Sequence, residues 1–158
     1  MSVPTADDRD EARRRFLAGL SRGADADQLV IDIADLHLRS NTFPGEVLMG
    51  IAVDALDTAG VDGQHRLDHA VLLSTHLAEV EFRGKQRRYI QYAVLAAFAA
   101  HGGLEVDLLD EVAYWIEWYW QYALFAALAI VRACAERSGV AVETFVVDLA
   151  AGYGIAVR

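Results

Sequence analysis

Cysteine is nearly missing from this chain: Cys134 is the only one among 158 residues. No disulfide can form within the chain, which fits a reducing cytoplasm and excludes the disulfide-stapled secreted classes. Proline is almost as scarce, with only Pro4 and Pro44. Helices can therefore run with few interruptions. Lys85 is the sole lysine, and the net charge of −9 leaves no broad basic surface. Binding a phosphate backbone requires cationic side chains that displace counterions, so nucleic acid is not an expected partner. Anionic membrane surfaces are disfavoured for the same reason. The start of the chain, MSVPTADDRDEARRR, is charged and has no apolar stretch of the kind a secretory signal needs. The expected compartment is the cytoplasm.

Alternating strand patterns are also absent. Apolar residues instead recur at helical spacing between glycine-marked breaks, which predicts an all-α fold. A first helix is expected from about Ala6 to Arg22, with Asp7, Asp8, Asp10 and Glu11 complementing its N-terminal dipole. Asp25 to Gln28 resemble a capping box that opens a second helix reaching about Arg39. Pro44 suits the first turn of a third, which ends near Gly60 and packs through Val47, Leu48, Ile51, Ala52, Ala55 and Leu56. A fourth is expected from Asp62 to about Arg83, and a fifth from Lys85 to His101. The fifth is apolar nearly all round from Tyr89, as a central buried helix would be. A long aromatic-rich segment from about Val106 to Arg137 follows, with a kink expected. Gly139 is placed to end it before a last helix from Val142 to Ala151. No linker divides the chain. The expected architecture is one domain, 1–158, a compact bundle of six to seven helices.

Hydrophobic residues reach 54%. Their most concentrated form is YWIEWYW, residues 114–120. On a helical repeat, Trp115, Trp118, Tyr122 and Phe125 share one face, flanked by Tyr114 and Tyr119, while Trp120 points roughly the other way. Such a run can form core, because indole and phenol groups find polar partners at a core boundary. It can also form a partner surface, since Trp and Tyr concentrate at binding hot spots. Trp115, Trp118, Tyr119 and Tyr122 are the candidate partner-binding residues. A membrane span is disfavoured because Glu117 and Gln121 interrupt the apolar run.

Three of the five histidines, His65, His69 and His76, fall within about 40° of one helical face. His65 and His69 have the i, i+4 spacing of a two-imidazole metal half-site. His76 lies about 10.5 Å further along the helix axis, too far to complete the same site. A metal would need ligands from elsewhere, and the alternative reading is a solvated helix face. No cofactor is implied. Arg83, Lys85, Arg87 and Arg88 gather around Gly84, where a helix N-terminus could hold an anion. They equally suit the end of the preceding helix.

No nucleophile elbow or phosphate-binding glycine motif occurs. Cys134 reads as a small core residue. Asp32/Asp35 and Asp54/Asp57 read as solvated helix faces. Two function classes stay open. One is a non-catalytic binding, assembly or regulatory module, homo-oligomeric or partnered, acting through aromatic and alanine-rich helix faces. The other is an enzyme, or a metal- or small-molecule-binding bundle, walled by the His65/His69/His76 stripe.

Overall fold

The computed structural model describes residues 6–40, 44–61, 86–103 and 120–157. They form six helices: α1 (Ala6–Ser21), α2 (Ala26–Ser40), α3 (Pro44–Thr58), α4 (Gln86–His101), α5 (Trp120–Arg137) and α6 (Val142–Gly152). No strand occurs among the described residues. The all-α expectation holds, and the helix ends fall within a few residues of the sequence signals. The predicted fourth helix and the upstream part of the aromatic segment lie outside the described residues.

Local chemistry explains several boundaries. The backbone N–H of Gln28 donates to Asp25 Oδ1 at 2.8 Å, satisfying one of the orphan donors at the start of α2. The Gln28 amide reaches forward to Asp32 Oδ1 instead of back, so the capping box is half made. Pro44 opens α3, where its missing N–H costs nothing. Gly139, with φ +69°, ends α5. Its N–H donates to Glu136 O at 3.0 Å, and that of Val140 to Ala135 O at 3.1 Å. Those two bonds satisfy carbonyls that would otherwise be orphaned.

The core lies around α5. This helix packs most extensively on α3 and also meets α4, α6 and α2. Ala123, Ala126, Ala127, Ala129, Ala133 and Ala135 are all buried along it. Short side chains let surrounding helices approach closely, because interaxial distance is set by the residues at the contact. The predicted α3 stripe, Val47, Leu48, Ile51, Ala52, Ala55 and Leu56, is buried in full. On the far side, α1 packs on α2, α6 and α3. At the α1–α2 contact a Cβ on Gly19 would sit 2.5 Å from Leu29 Cδ2, so the glycine permits that close approach.

One expectation is corrected. Apolar residues all round α4 suggested that it would be the central helix. It buries Ile90, Ala93, Val94, Ala96, Ala97 and Phe98, yet Leu95 is 49% exposed. Among the described helices α4 packs on α5 and α3, whereas α5 is packed against α2, α3, α4 and α6. Among the described residues no helix is long and apolar enough to cross a membrane.

Candidate functional site

The aromatic run enters the described structure at the first turn of α5. Trp120 is buried, at 5% exposure, inside the main core. Tyr122 and Phe125 are half-buried and pack against that core from its margin. Trp120 and the Tyr122–Phe125 side of α5 are thus in different surroundings. Beyond them α5 turns Arg132 and Glu136 outward, while Ala126, Ala129 and Ala133 are covered. Of the candidate partner-binding residues, Tyr122 is described. Trp115, Trp118 and Tyr119 lie outside the described residues.

The other candidates lie largely outside as well. His65, His69 and His76 fall there, as do Arg83 and Lys85. Arg87 and Arg88 sit in the first turn of α4, and their side chains are not among those described. Among the described residues no group of three or more His, Cys, Asp or Glu side chains could hold a metal ion. Ile31, 66% exposed on α2, and Leu95 are the largest outward-facing aliphatic side chains described.

The charged groups expected on solvated faces also meet neighbouring elements. Arg15 donates from Nε to Glu11 Oε1 at 2.8 Å and from Nη1 to Asp32 O at 3.0 Å, and it pairs with Asp35. This one side chain therefore ties α1 to α2. Hydrogen bonding from Arg14, with Arg15 adding to it, holds the Glu11 carboxyl below its ordinary range against a smaller opposing effect of burial. The bond to Glu11 raises the Arg15 guanidinium. On α3 the two aspartates hold two different segments. Asp54 accepts a hydrogen bond from the Tyr153 hydroxyl, and Asp57 lies 3.0 Å from His101 Nδ1. The solvated-face reading of Asp32/Asp35 and Asp54/Asp57 holds in part: the Asp35 and Asp57 side chains are 48% and 64% exposed, and each pair also reaches a neighbouring element. Sequence spacing could not reveal this, because Asp54 and Tyr153 are 99 positions apart.

Two arrangements resemble catalytic parts. Cys134 is fully buried, and burial pushes its thiol up to about 12, with Arg137 only slightly offsetting. A thiol held in its neutral form away from solvent is not a nucleophile. The Asp57–His101 pair has the acid–imidazole order of a relay. Its outer nitrogen, Nε2, is taken by Val61 O at 2.7 Å, and the side chain is 5% exposed. That leaves no nitrogen to face a substrate, so the pair is structural. His101 was the residue the sequence did not single out. A lone histidine in the last turn of a helix before Gly102–Gly103 was its available signal.

Comparison with known proteins adds no relative: no family model, no curated protein and no solved structure matches this chain.

Proposed function

We propose that this chain is a non-catalytic helical binding or assembly module. In this reading it recognises a protein partner, or a second copy of itself, through the aromatic face that continues into α5. The division of the aromatic run supports this most. Trp120 is spent on the core, whereas Tyr122 and Phe125 stand at its margin. By spacing, Trp118 shares the Tyr122–Phe125 face. Rings at such a margin combine large apolar area with a polar tip, the chemistry of interface hot spots. The described acids and bases support the same reading, since Arg15, Asp35, Asp54 and Asp57 serve to join helices. A mean hydropathy of +0.21 agrees with a protein that covers part of its surface by association. The reading carries with it a cytoplasmic protein without nucleic-acid partners.

Native mass spectrometry of the purified chain tests this directly. The expected result is an oligomer or a retained protein partner, with no stoichiometric metal or small molecule. A monomer carrying a tightly held metal, lost on changing both His65→Ala and His69→Ala, would overturn the reading in favour of a ligand-binding bundle.

A further inference from the structure

Past the end of α6 the chain turns back onto the bundle. Gly154, with φ +71°, makes the turn. Its N–H donates to Ala151 O and that of Ile155 to Ala150 O, both at 3.0 Å. This is the bonding that ends a helix at a left-handed glycine. From there exposure alternates: Tyr153, Ile155 and Val157 are half-buried, whereas Gly154 and Ala156 are exposed. The three half-buried side chains pack against the main core.

This segment, 153–157, keeps to α1. The Arg13 guanidinium lies 5.3 Å from the centre of the Tyr153 ring, and Val157 O lies 3.2 Å from Ser21 Oγ. Arg13 and Ser21 are separated by about 12 Å along the helix axis, so the segment follows α1 instead of crossing it. A third contact reaches α3, where Asp54 accepts the Tyr153 hydroxyl. Two of the three contacts are shared. Arg13 also donates to Asp10 Oδ1 at 2.8 Å, and the Ser21 hydroxyl is 2.8 Å from Ala18 O. The bond to the Asp54 carboxylate is the charge-assisted one, and so the strongest single anchor.

The packing beneath is of another kind. Phe16 and Leu17 of α1, with Phe145, Val146 and Leu149 of α6, are each at most 3% exposed. Lifting the segment breaks contacts at side-chain tips and uncovers residues that are only half covered. The helices and their buried contacts stay as they are. Segments held in this way open locally, at lower cost than the whole fold.

We propose that 153–157 is a latched strap. It lifts from α1 as a unit while the six helices stay folded, and the Tyr153–Asp54 hydrogen bond sets how often it lifts. Lifting turns the chain at Gly154, so the bonds from Gly154 and Ile155 open with it. The open form bares the apolar side of Ile155 and Val157 and the part of the core they cover. The strap works whether or not the aromatic face binds a partner.

Native-state hydrogen exchange followed by NMR tests this, on the wild type and on Tyr153→Phe, in urea concentrations below the unfolding transition. Phenylalanine keeps the ring and its packing and removes only the hydroxyl. In the wild type the Gly154 and Ile155 amides should exchange faster than those of Leu124 and Val146. Their rates should hardly change with urea, because a local opening exposes little surface. The core amides should speed up steeply with urea. In Tyr153→Phe without urea, exchange at Gly154 and Ile155 should rise about tenfold, as expected for losing a hydrogen bond to a charged acceptor. Two results would overturn the strap: Gly154 and Ile155 following urea as steeply as the core, or rates there unchanged by the variant. The urea comparison needs only the wild type.

Discussion

The hydroxyl of Tyr153, just past the end of α6, donates to Asp54 Oδ2 in α3. The Arg13 guanidinium lies 5.3 Å from the centre of the same ring, and the Ser21 hydroxyl, 2.8 Å from Ala18 O, is also within 3.2 Å of Val157 O. The segment after α6 is thereby tied to both α1 and α3. Burial first, and then the bond to Asp54, push the Tyr153 phenol above its ordinary range. The folded state thus prefers the neutral phenol more than the unfolded chain does. This contribution is complete below the ordinary tyrosine range, near pH 10, and is lost as pH rises through and beyond it. Tyr153→Phe should cost about 1–2 kcal/mol at neutral pH by removing a hydrogen bond to a charged acceptor. It should also flatten the loss of stability in alkali, which denaturant melts at about pH 8 and about pH 11, on either side of the tyrosine range, would record.

Burial of Cys134 leads to a chemical expectation. A thiol raised to about 12 by desolvation stays neutral and shielded in the folded chain. Thiol-specific reagents should label it at the rate of transient opening, far more slowly than in urea. Labelling in native buffer as fast as in urea would show that α5 is not a packed axis.

Helix geometry gives a pair of glycine predictions with opposite signs. Gly139 adopts φ +69°, and the space a Cβ would occupy there is open to 4 Å, so Gly139→Ala adds conformational strain without a clash. The cost should be about 1–2 kcal/mol. Gly50 is exposed inside α3 and equally uncrowded, so Gly50→Ala should stabilise by up to about 1 kcal/mol. Chemical denaturation of the two variants checks both signs.

Packing separates the central helix from its neighbour. Leu124 on α5 is fully buried, and Leu124→Ala should cost about 2–5 kcal/mol. Leu95 on α4 is half out of the core, and Leu95→Ala should cost well under that, within about 1 kcal/mol. Thermal or urea melts of both variants make the comparison. Similar losses for both would restore α4 as a central helix.

Much of this architecture was legible because its causes are local. The Asp25 cap, Pro44 at the start of α3 and Gly139 at the end of α5 each act within a few residues. The α3 stripe follows from spacing alone. The choice of central helix was not legible, since α4 and α5 are both apolar and only their packing partners decide which is surrounded. The aspartate ties were hidden for a related reason: Asp57 and His101, or Asp54 and Tyr153, meet only once the helices assemble.

The proposed partner face is tested most directly by sedimentation equilibrium across a wide range of concentration, on the wild type and on Trp118→Ala. The account predicts a self-associating wild type, or one that sediments with a bound protein partner. In the variant that association should weaken by about 2 kcal/mol or more, roughly 30-fold, with little change in the thermal midpoint. A wild type that stays monomeric and unpartnered at every concentration, with a variant that loses only fold stability, would contradict it and return the whole aromatic run to the core.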